Sequence, residues 1–496
     1  MTRSEHRQKT GSAILWNFCR VLIQTSASFI VGIILARLLS PESFGLIAIA
    51  LFFGAFSELL STAGVAAAVV QRKQLSSTHI EGALMFSLCM GVVFMLIFWF
   101  ASEYIAIFFA EPILENIIKT LSVGMFFSTA TSVQRGLLIR EMDFKQLTKL
   151  DTIGYLIGFA LVSIVLVFLD YGVWSLVLGN LIWMILTAVL LFCYSTHANK
   201  YRWHTKEIGE LLRFGIGISL NNFIFFLVSR TTPMLIGKSL GAAQLGLYNR
   251  SNQLSGMPLK KIAATFSSVL FSSYSSIQNE QDLLSQEYHR SLRAVSILSL
   301  PVLSVAIAAG DYVIVGLLGD KWAAAVPVFQ LLCLGAIFSN ILHIAGAVVQ
   351  ATGHVYLEVK RQVVSLVILV LGSSVALQYG LLAFVCAQIV SSLSLYFMMA
   401  HLAIKILNSN WKDYFYAQLP GVFMSILVSG TTVLTIMWIE HSLNIAAPTA
   451  LLIIGISAGV SYVTFLASGI IPGTSLYRQK LYVILAEIRK KITNFF

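Results

Sequence analysis

The sequence predicts an all-α integral membrane protein, with about fourteen transmembrane helices in two pseudo-symmetric six-helix lobes plus two C-terminal helices. Three observations predict it: a scarcity of charge, long apolar runs repeated along the whole chain, and lysines and arginines confined to alternate connections. Of the 496 residues, 57% are hydrophobic and 11% are charged. Soluble domains carry roughly 25% charged residues, so the charge needed to cover a water-facing surface is missing.

In lipid each apolar run must satisfy its backbone polar groups internally, and helices of about 20 residues do so. Transmembrane strands alternate in polarity over about ten residues. The runs 91–101 and 156–169 are instead apolar on every face. The expected helices lie at 12–36, 43–70, 80–102, 114–134, 150–169, 173–194, 212–236, 245–271, 290–310, 324–349, 362–379, 381–404, 417–439 and 447–471. The first run is too long for a signal peptide and carries Arg20, so it is expected to be retained.

Orientation follows from the connections. One set holds 24 lysines and arginines, from Arg3, Arg7 and Lys9 to Lys490 and Lys491; the other holds Arg37, Lys238 and Lys321. By the positive-inside bias both termini are expected in the cytoplasm. The same bias accounts for the net charge of +11, which in a soluble protein would point to nucleic acid. No nucleic-acid partner is expected here.

An internal repeat divides the chain. Leu35–Leu46 aligns with Ile236–Leu247 at an offset of 201 residues, matching Phe44-Gly45-Leu46 to Leu245-Gly246-Leu247. Leu121–Gly124 and Leu332–Gly335 correspond in the same way, as do 144–149 and 356–361. The expected domains are an N-terminal lobe (1–205, helices 1–6), a C-terminal lobe (206–408, helices 7–12), helices 13–14 (409–472) and a cytoplasmic amphipathic tail (473–496). Parallel repeats of this kind place a substrate site between two lobes.

Charges deep in helices cost about 2.5–3.5 kcal/mol or more when unpaired, so they mark function or tight pairing. Arg20 lies about 12 Å into helix 1 at 1.5 Å per residue. Asn17, Arg20 and Gln24 share one face of that helix. Two readings stand for Arg20: a lining of the substrate cavity, or an interhelix pair with Glu58 of helix 2. Helix 7 offers Asn222 and Arg230, broken by Pro233, and helix 8 offers Arg250, Gln253 and Lys260. For Arg250 and Lys260 the competing reading is snorkelling to the headgroups. Glu58 is read as the one carboxylate well inside a helix, either coupling transport to protons or sodium or serving as the counter-ion of Arg20.

A cavity with these cations suits an anionic substrate, and arginine forks match phosphate or diphosphate. A cationic-drug exporter would want pore-facing acids. The sequence has no phosphate-binding glycine loop and no metal-spaced His or Cys cluster, so neither ATP hydrolysis nor a metal or other cofactor is expected. Five scattered cysteines read as small apolar residues rather than disulfides.

The segment Ala36-Arg-Leu-Leu-Ser-Pro-Glu-Ser-Phe-Gly-Leu46 resembles the signature of the polysaccharide transporter family, the Wzx-type oligosaccharide flippases of the multidrug/oligosaccharidyl-lipid/polysaccharide superfamily. Val70-Gln-Arg-Lys73, Ile118-Lys-Thr-Leu-Ser122 and Leu212-Arg-Phe-Gly215 resemble it too. Gly319-Asp-Lys-Trp322 followed by Pro327–Cys333 is the most specific block, and the similarity is to colanic-acid-type exporters. The resemblance implies a two-lobed, alternating-access transporter in the bacterial plasma (inner) membrane. It would move undecaprenyl-diphosphate-linked oligosaccharide repeat units outward for exopolysaccharide, capsule or O-antigen synthesis. The family's basic central cavity corresponds in type to Arg20. Polysaccharide polymerase and glycosyltransferase partners are implied, and no enzyme activity. The alternatives are a multidrug or cation antiporter of the same superfamily, and a polytopic polysaccharide polymerase; the latter needs a sizeable catalytic outer loop, which the short outer turns do not provide.

Overall fold

A chain this apolar has few water-facing partners for its peptide groups, so helices that bond internally dominate. The computed structural model describes residues 3–61, 64–72, 74–195, 200–443, 445–469 and 479. The side chains of Asn17 and Lys260 and nearly all of the tail 473–496 lie outside the described residues. Among the described residues there is no strand. Two compact units divide the chain, Met1–Gly246 and Leu247–Phe496.

In the first unit, α1 (Arg3–Leu38), α2 (Pro41–Ser61), α3 (Val65–Gln71) and α4 (Ser77–Phe109) are followed by α5 (Ile113–Ala130) and α6 (Ser132–Arg140). Next come α7 (Phe144–Ile153), a π-helical stretch (Gly154–Leu161), α8 (Val162–Phe168) and α9 (Val173–Tyr194). The long α10 (Thr205–Ser276) begins in this unit and leaves helical geometry at Gly241, with φ 86 and ψ 172. That conformation is open to glycine and strained for other residues. It falls inside the turn expected between 236 and 245, whereas helical geometry persists at Pro233, where the sequence suggested a break.

The two repeat segments meet in this unit. A methyl group added at Gly45 would overlap the carbonyl oxygen of Ala242, and one added at Gly246 would overlap that of Pro41. The matched glycines are therefore the points where the two turns pack backbone against backbone. At the same end Lys238 donates to the Phe108 carbonyl and lies 4.4 Å from the centre of its ring.

At the other end the basic connections gather. Arg140 Nη1 donates to the Val69 and Val70 carbonyls at 2.7 and 3.2 Å, satisfying orphan acceptors at the end of α3. Glu210 pairs with Arg72 and, at 3.3 Å, with His79. Those contacts, the His79 hydrogen bond foremost and Arg72 next, hold the Glu210 carboxyl below the usual carboxylate range.

The second unit contains α11 (Gln281–Ala308), α12 (Gly310–Leu318), a 3₁₀ turn (Asp320–Ala325) and α13 (Val326–Ala351). After them come α14 (Val355–Ala376), α15 (Leu381–Ile406), α16 (Trp411–Ser442) and α17 (Ala447–Ser468). Tyr288, Leu292, Val348, Met399 and Tyr414 form its main core. Trp322 of the Gly-Asp-Lys-Trp block is fully buried, which makes that motif a packing element of the fold.

Among the described residues ten helices are long and apolar enough to cross a membrane: four in the first unit and six in the second, with mean hydropathies of 1.7 to 2.4. Their outer faces leave Phe100, Tyr104, Ile107, Leu371, Leu434 and Ile456 exposed. Water would penalise such a surface and hydrocarbon would not. The chain is thus an all-helical, multi-pass membrane protein. The four other expected spans fall on α1, α5 and the two parts of α10, which are helical but are not among these ten. In α1 the described apolar stretch is Ile23–Leu38.

Candidate functional site

The site grows from a carboxylate inside the first unit. Asp143 accepts from the Gln146 backbone N–H at 3.2 Å and starts α7 as its N-cap. Asp151 therefore lies two turns into a helix rather than at its edge, and its side chain is 8% exposed. Burial of a carboxylate demands compensation, and two arginines supply it. Arg135 of α6 forks onto it, Nη1 to Oδ2 at 2.9 Å and Nη2 to Oδ1 at 2.7 Å. Arg20 of α1 brings Nη1 to 3.6 Å from Oδ2.

Two guanidiniums thus converge on one carboxylate. Arg20 is 23% and Arg135 38% exposed, so both remain reachable. Arg135 also lines a cavity of about 680 Å³, whose wall includes Glu58 of α2, Ser132 of α6, and Trp183 and Thr187 of α9. The π-helical stretch just after Asp151 packs on α9 through Tyr155, edge-on to Trp183 at 5.5 Å. Such stretches recur at functional sites, and this one joins the ion cluster to the cavity wall. Chemically the arrangement can hold an anion: a planar donor fork already set by Asp151, beside a volume that can admit a polar ligand.

The structure brings together part of the expected constellation. Arg20 is placed beside the cavity cluster, with Gln24 one turn further along α1. Arg20 forms an ion pair with Asp151, and Glu58, which the sequence offers as its counter-ion or as a coupling group, is exposed on the cavity wall. Asn222 and Arg230 are exposed on the first part of α10, where the neighbouring Phe223 and Phe226 pack on Phe56. In the second unit Arg250 Nη1 donates to Gln253 Oε1 at 2.7 Å, one turn along the same helix. Asn17 and Lys260 fall on side chains outside the described residues.

Sequence reasoning missed Asp151, which it placed at the end of the helix 150–169, and Arg135, which it placed in the basic connection after 114–134. It also missed Glu358 in α14, which is 8% exposed and accepts from the side-chain amides of Gln350 and Gln362 at 3.2 and 3.1 Å. Asp143 before an amphipathic stretch was the signal that would have extended the helix expected from 150 back to Phe144, setting Asp151 two turns inside it. Among the described residues no group of three or more His, Cys, Asp or Glu is arranged to hold a metal ion.

Comparison with known proteins decides the family. The family described as "Polysaccharide biosynthesis protein" matches residues 34–327, more than half of the chain. The chain belongs to this family. The match includes Asp151, Arg135, Glu58 and the Gly-Asp-Lys-Trp block. Among the family's relatives, the lipopolysaccharide biosynthesis protein WzxC of Escherichia coli K12 is 24% identical over 437 residues, covering 84% of this chain and 87% of the relative. The succinoglycan biosynthesis transport protein ExoT of Rhizobium meliloti is 24% identical over 306 residues, covering 62% of each. Among solved structures, lipid II flippase MurJ in an inward closed conformation superposes with a TM-score of 0.65 at 14% identity. That superposition covers 90% of this chain and 98% of MurJ, and at such identity it establishes the shared fold.

Proposed function

We propose that the chain is a flippase that moves undecaprenyl-diphosphate-linked oligosaccharide repeat units across the bacterial plasma membrane for surface polysaccharide synthesis. One observation carries this reading beyond family membership: Arg20 and Arg135 share the single carboxylate of Asp151, beside a cavity in a membrane-embedded unit. A pair of guanidiniums in that setting suits a diphosphate better than a cationic drug. The relatives' names state polysaccharide biosynthesis and transport, and the structural neighbour is named a lipid flippase. No bond is made or broken in such a step, so the chain is read as a transporter and not an enzyme.

In the proposed cycle the diphosphate rests on Arg20 and Arg135 and the glycan occupies the hydrated cavity. The prenyl tail stays in lipid. Glu58, on the same wall, is the candidate for coupling to protons or sodium. Gln24, Asn222, Arg230, Arg250 and Gln253, with Asn17 and Lys260, are proposed as further polar contacts along the route. Fourteen spans, arranged as six, six and two with both termini cytoplasmic, fit the distribution of lysines and arginines. The turns that meet through Gly45 and Gly246 are proposed as part of the outer gate, since backbone contact of that closeness excludes a hydrated path there. Polymerase and glycosyltransferase partners follow from the same reading.

A deletion strain tests it. Lipid-linked single repeats should accumulate on the cytoplasmic face of the membrane. Accumulation on the outer face would indicate a polymerase and overturn the proposal.

A further inference from the structure

A second cavity, of about 850 Å³, opens in the second unit between the first turns of α11 and the connection from α15 to α16. The transport reading makes no use of it. Its wall carries Arg290 and Arg293 from α11, Asp282 at the start of that helix, and Asp413 and Tyr416 from α16. The wall is held from both sides. His289 Nδ1 donates to the Ser285 carbonyl at 2.7 Å, and its Nε2 lies 3.2 Å from Ser409 Oγ. Gln281 Nε2 donates to the Ile406 carbonyl at 3.0 Å, tying the start of α11 to the end of α15.

Within this frame Arg293 is out of balance. Its Nε is buried and has no hydrogen-bond partner. A buried donor left without an acceptor costs about 1–3 kcal/mol, more for a charged group. Its neighbour Arg290 meets Glu287 at 3.1 Å on the helix surface. The cavity therefore offers a guanidinium in need of an acceptor, a second guanidinium one turn away, and two carboxylates. A polyanion would be repelled by Asp282 and Asp413. A group with an anionic phosphate and a nearby ammonium satisfies both signs.

Position narrows the source. Arg290 and Arg293 stand where the apolar run of α11 begins, a place suited to headgroup contact. Tyr416, 64% exposed, lines the mouth, and the large apolar residues Leu419 and Phe423 follow it on α16 with exposed side chains. Tyrosine at the junction of apolar and polar surface is characteristic of a membrane interface.

We propose that this cavity binds the headgroup of an aminophospholipid of the inner leaflet, its phosphodiester on Arg293 and Arg290 and its primary ammonium on Asp413 and Asp282. The choice of leaflet rests on the orientation proposed above, but lipid binding is read without transport, so either idea can fail alone.

The test uses the purified full chain, delipidated in detergent, and counts retained lipid by native mass spectrometry. Phosphatidylethanolamine, phosphatidylcholine and inorganic phosphate are the probes. Phosphatidylethanolamine should be retained about ten-fold more than phosphatidylcholine, which has no N–H to donate. Arg293→Gln should reduce that retention about ten-fold, and Arg293→Lys should restore part of it. Should Arg293→Gln not fold, Asp413→Asn on the exposed rim gives the second reading: it should remove the preference for ethanolamine over choline. Equal retention of both lipids by the wild type, unchanged retention in Arg293→Gln, or full competition by millimolar inorganic phosphate would each overturn the proposal, the last by showing a site for soluble anions.

Discussion

Each unit buries an acid near the start of a long helix, and the two are compensated in different ways. Asp151 in the first unit meets two arginines. Glu358 in the second accepts from two glutamine amides, and among the described residues no cation forms an ion pair with it. The acids are equally hidden, 6% and 8% exposed, so burial alone does not predict chemistry. The partners do. A carboxylate between guanidiniums preorganises cations for an anionic ligand, whereas one among amides only satisfies its own hydrogen bonds. The guanidinium pair proposed to hold the diphosphate thus lies in the first unit.

Neutralising each acid breaks or sharpens this contrast. Asp151→Asn should have the largest effect, because it leaves Arg20 and Arg135 without their counter-charge. Loss of one member of a buried ion pair costs about 3–5 kcal/mol, read as a lower thermal midpoint and abundance of the detergent-purified chain. Arg135→Gln should cost less, roughly 2–3 kcal/mol for the lost fork, since Arg20 still faces Asp151. Glu358→Gln should cost under about 1 kcal/mol, because an amide oxygen still accepts from Gln350 or Gln362 and no charge is stranded. If Glu358→Gln proved as damaging as Asp151→Asn, the contrast between the units would be lost.

The mildest effect concerns the basic end of the first unit. Glu210 is held below its ordinary range, first by the His79 hydrogen bond and then by Arg72. A depressed carboxyl contributes its stability above the unfolded value, about 4.3, and loses it as pH falls through the lower folded value. The difference in thermal midpoint between wild type and Glu210→Gln should be present at pH 7 and shrink under acid. A difference that grew on acidification would contradict the assignment.

The sequence exposed Arg20 because a charge stands out inside an apolar run, and it exposed the paired turns because glycine recurs at matching places of the repeat. Asp151, Arg135 and Glu358 were hidden for one shared reason. Hydropathy measures the thickness of hydrocarbon, not the length of a helix. Here helices continue past the apolar boundary: α6 to Arg140, α7 back to Phe144, α14 back to Val355. Arg135 and Glu358 read as residues of connections and Asp151 as a helix end, yet the longer helices hold them in register to meet their partners. Local capping by Asp143 carried the missing information, and the pairing across 16 residues between Arg135 and Asp151 did not appear in any local pattern.

The central claim is that guanidinium charge beside the first unit's cavity carries the diphosphate. Arg20→Gln is the variant of choice, because Arg135 keeps both its bonds to Asp151 and the fold should survive. The measurement is flipping of a fluorescent undecaprenyl-diphosphate-linked repeat in proteoliposomes, at matched protein content. A loss of at least about ten-fold, with wild-type thermal stability, is the result expected for removing one charge-assisted contact to the substrate. Wild-type flipping by Arg20→Gln at full abundance would contradict it.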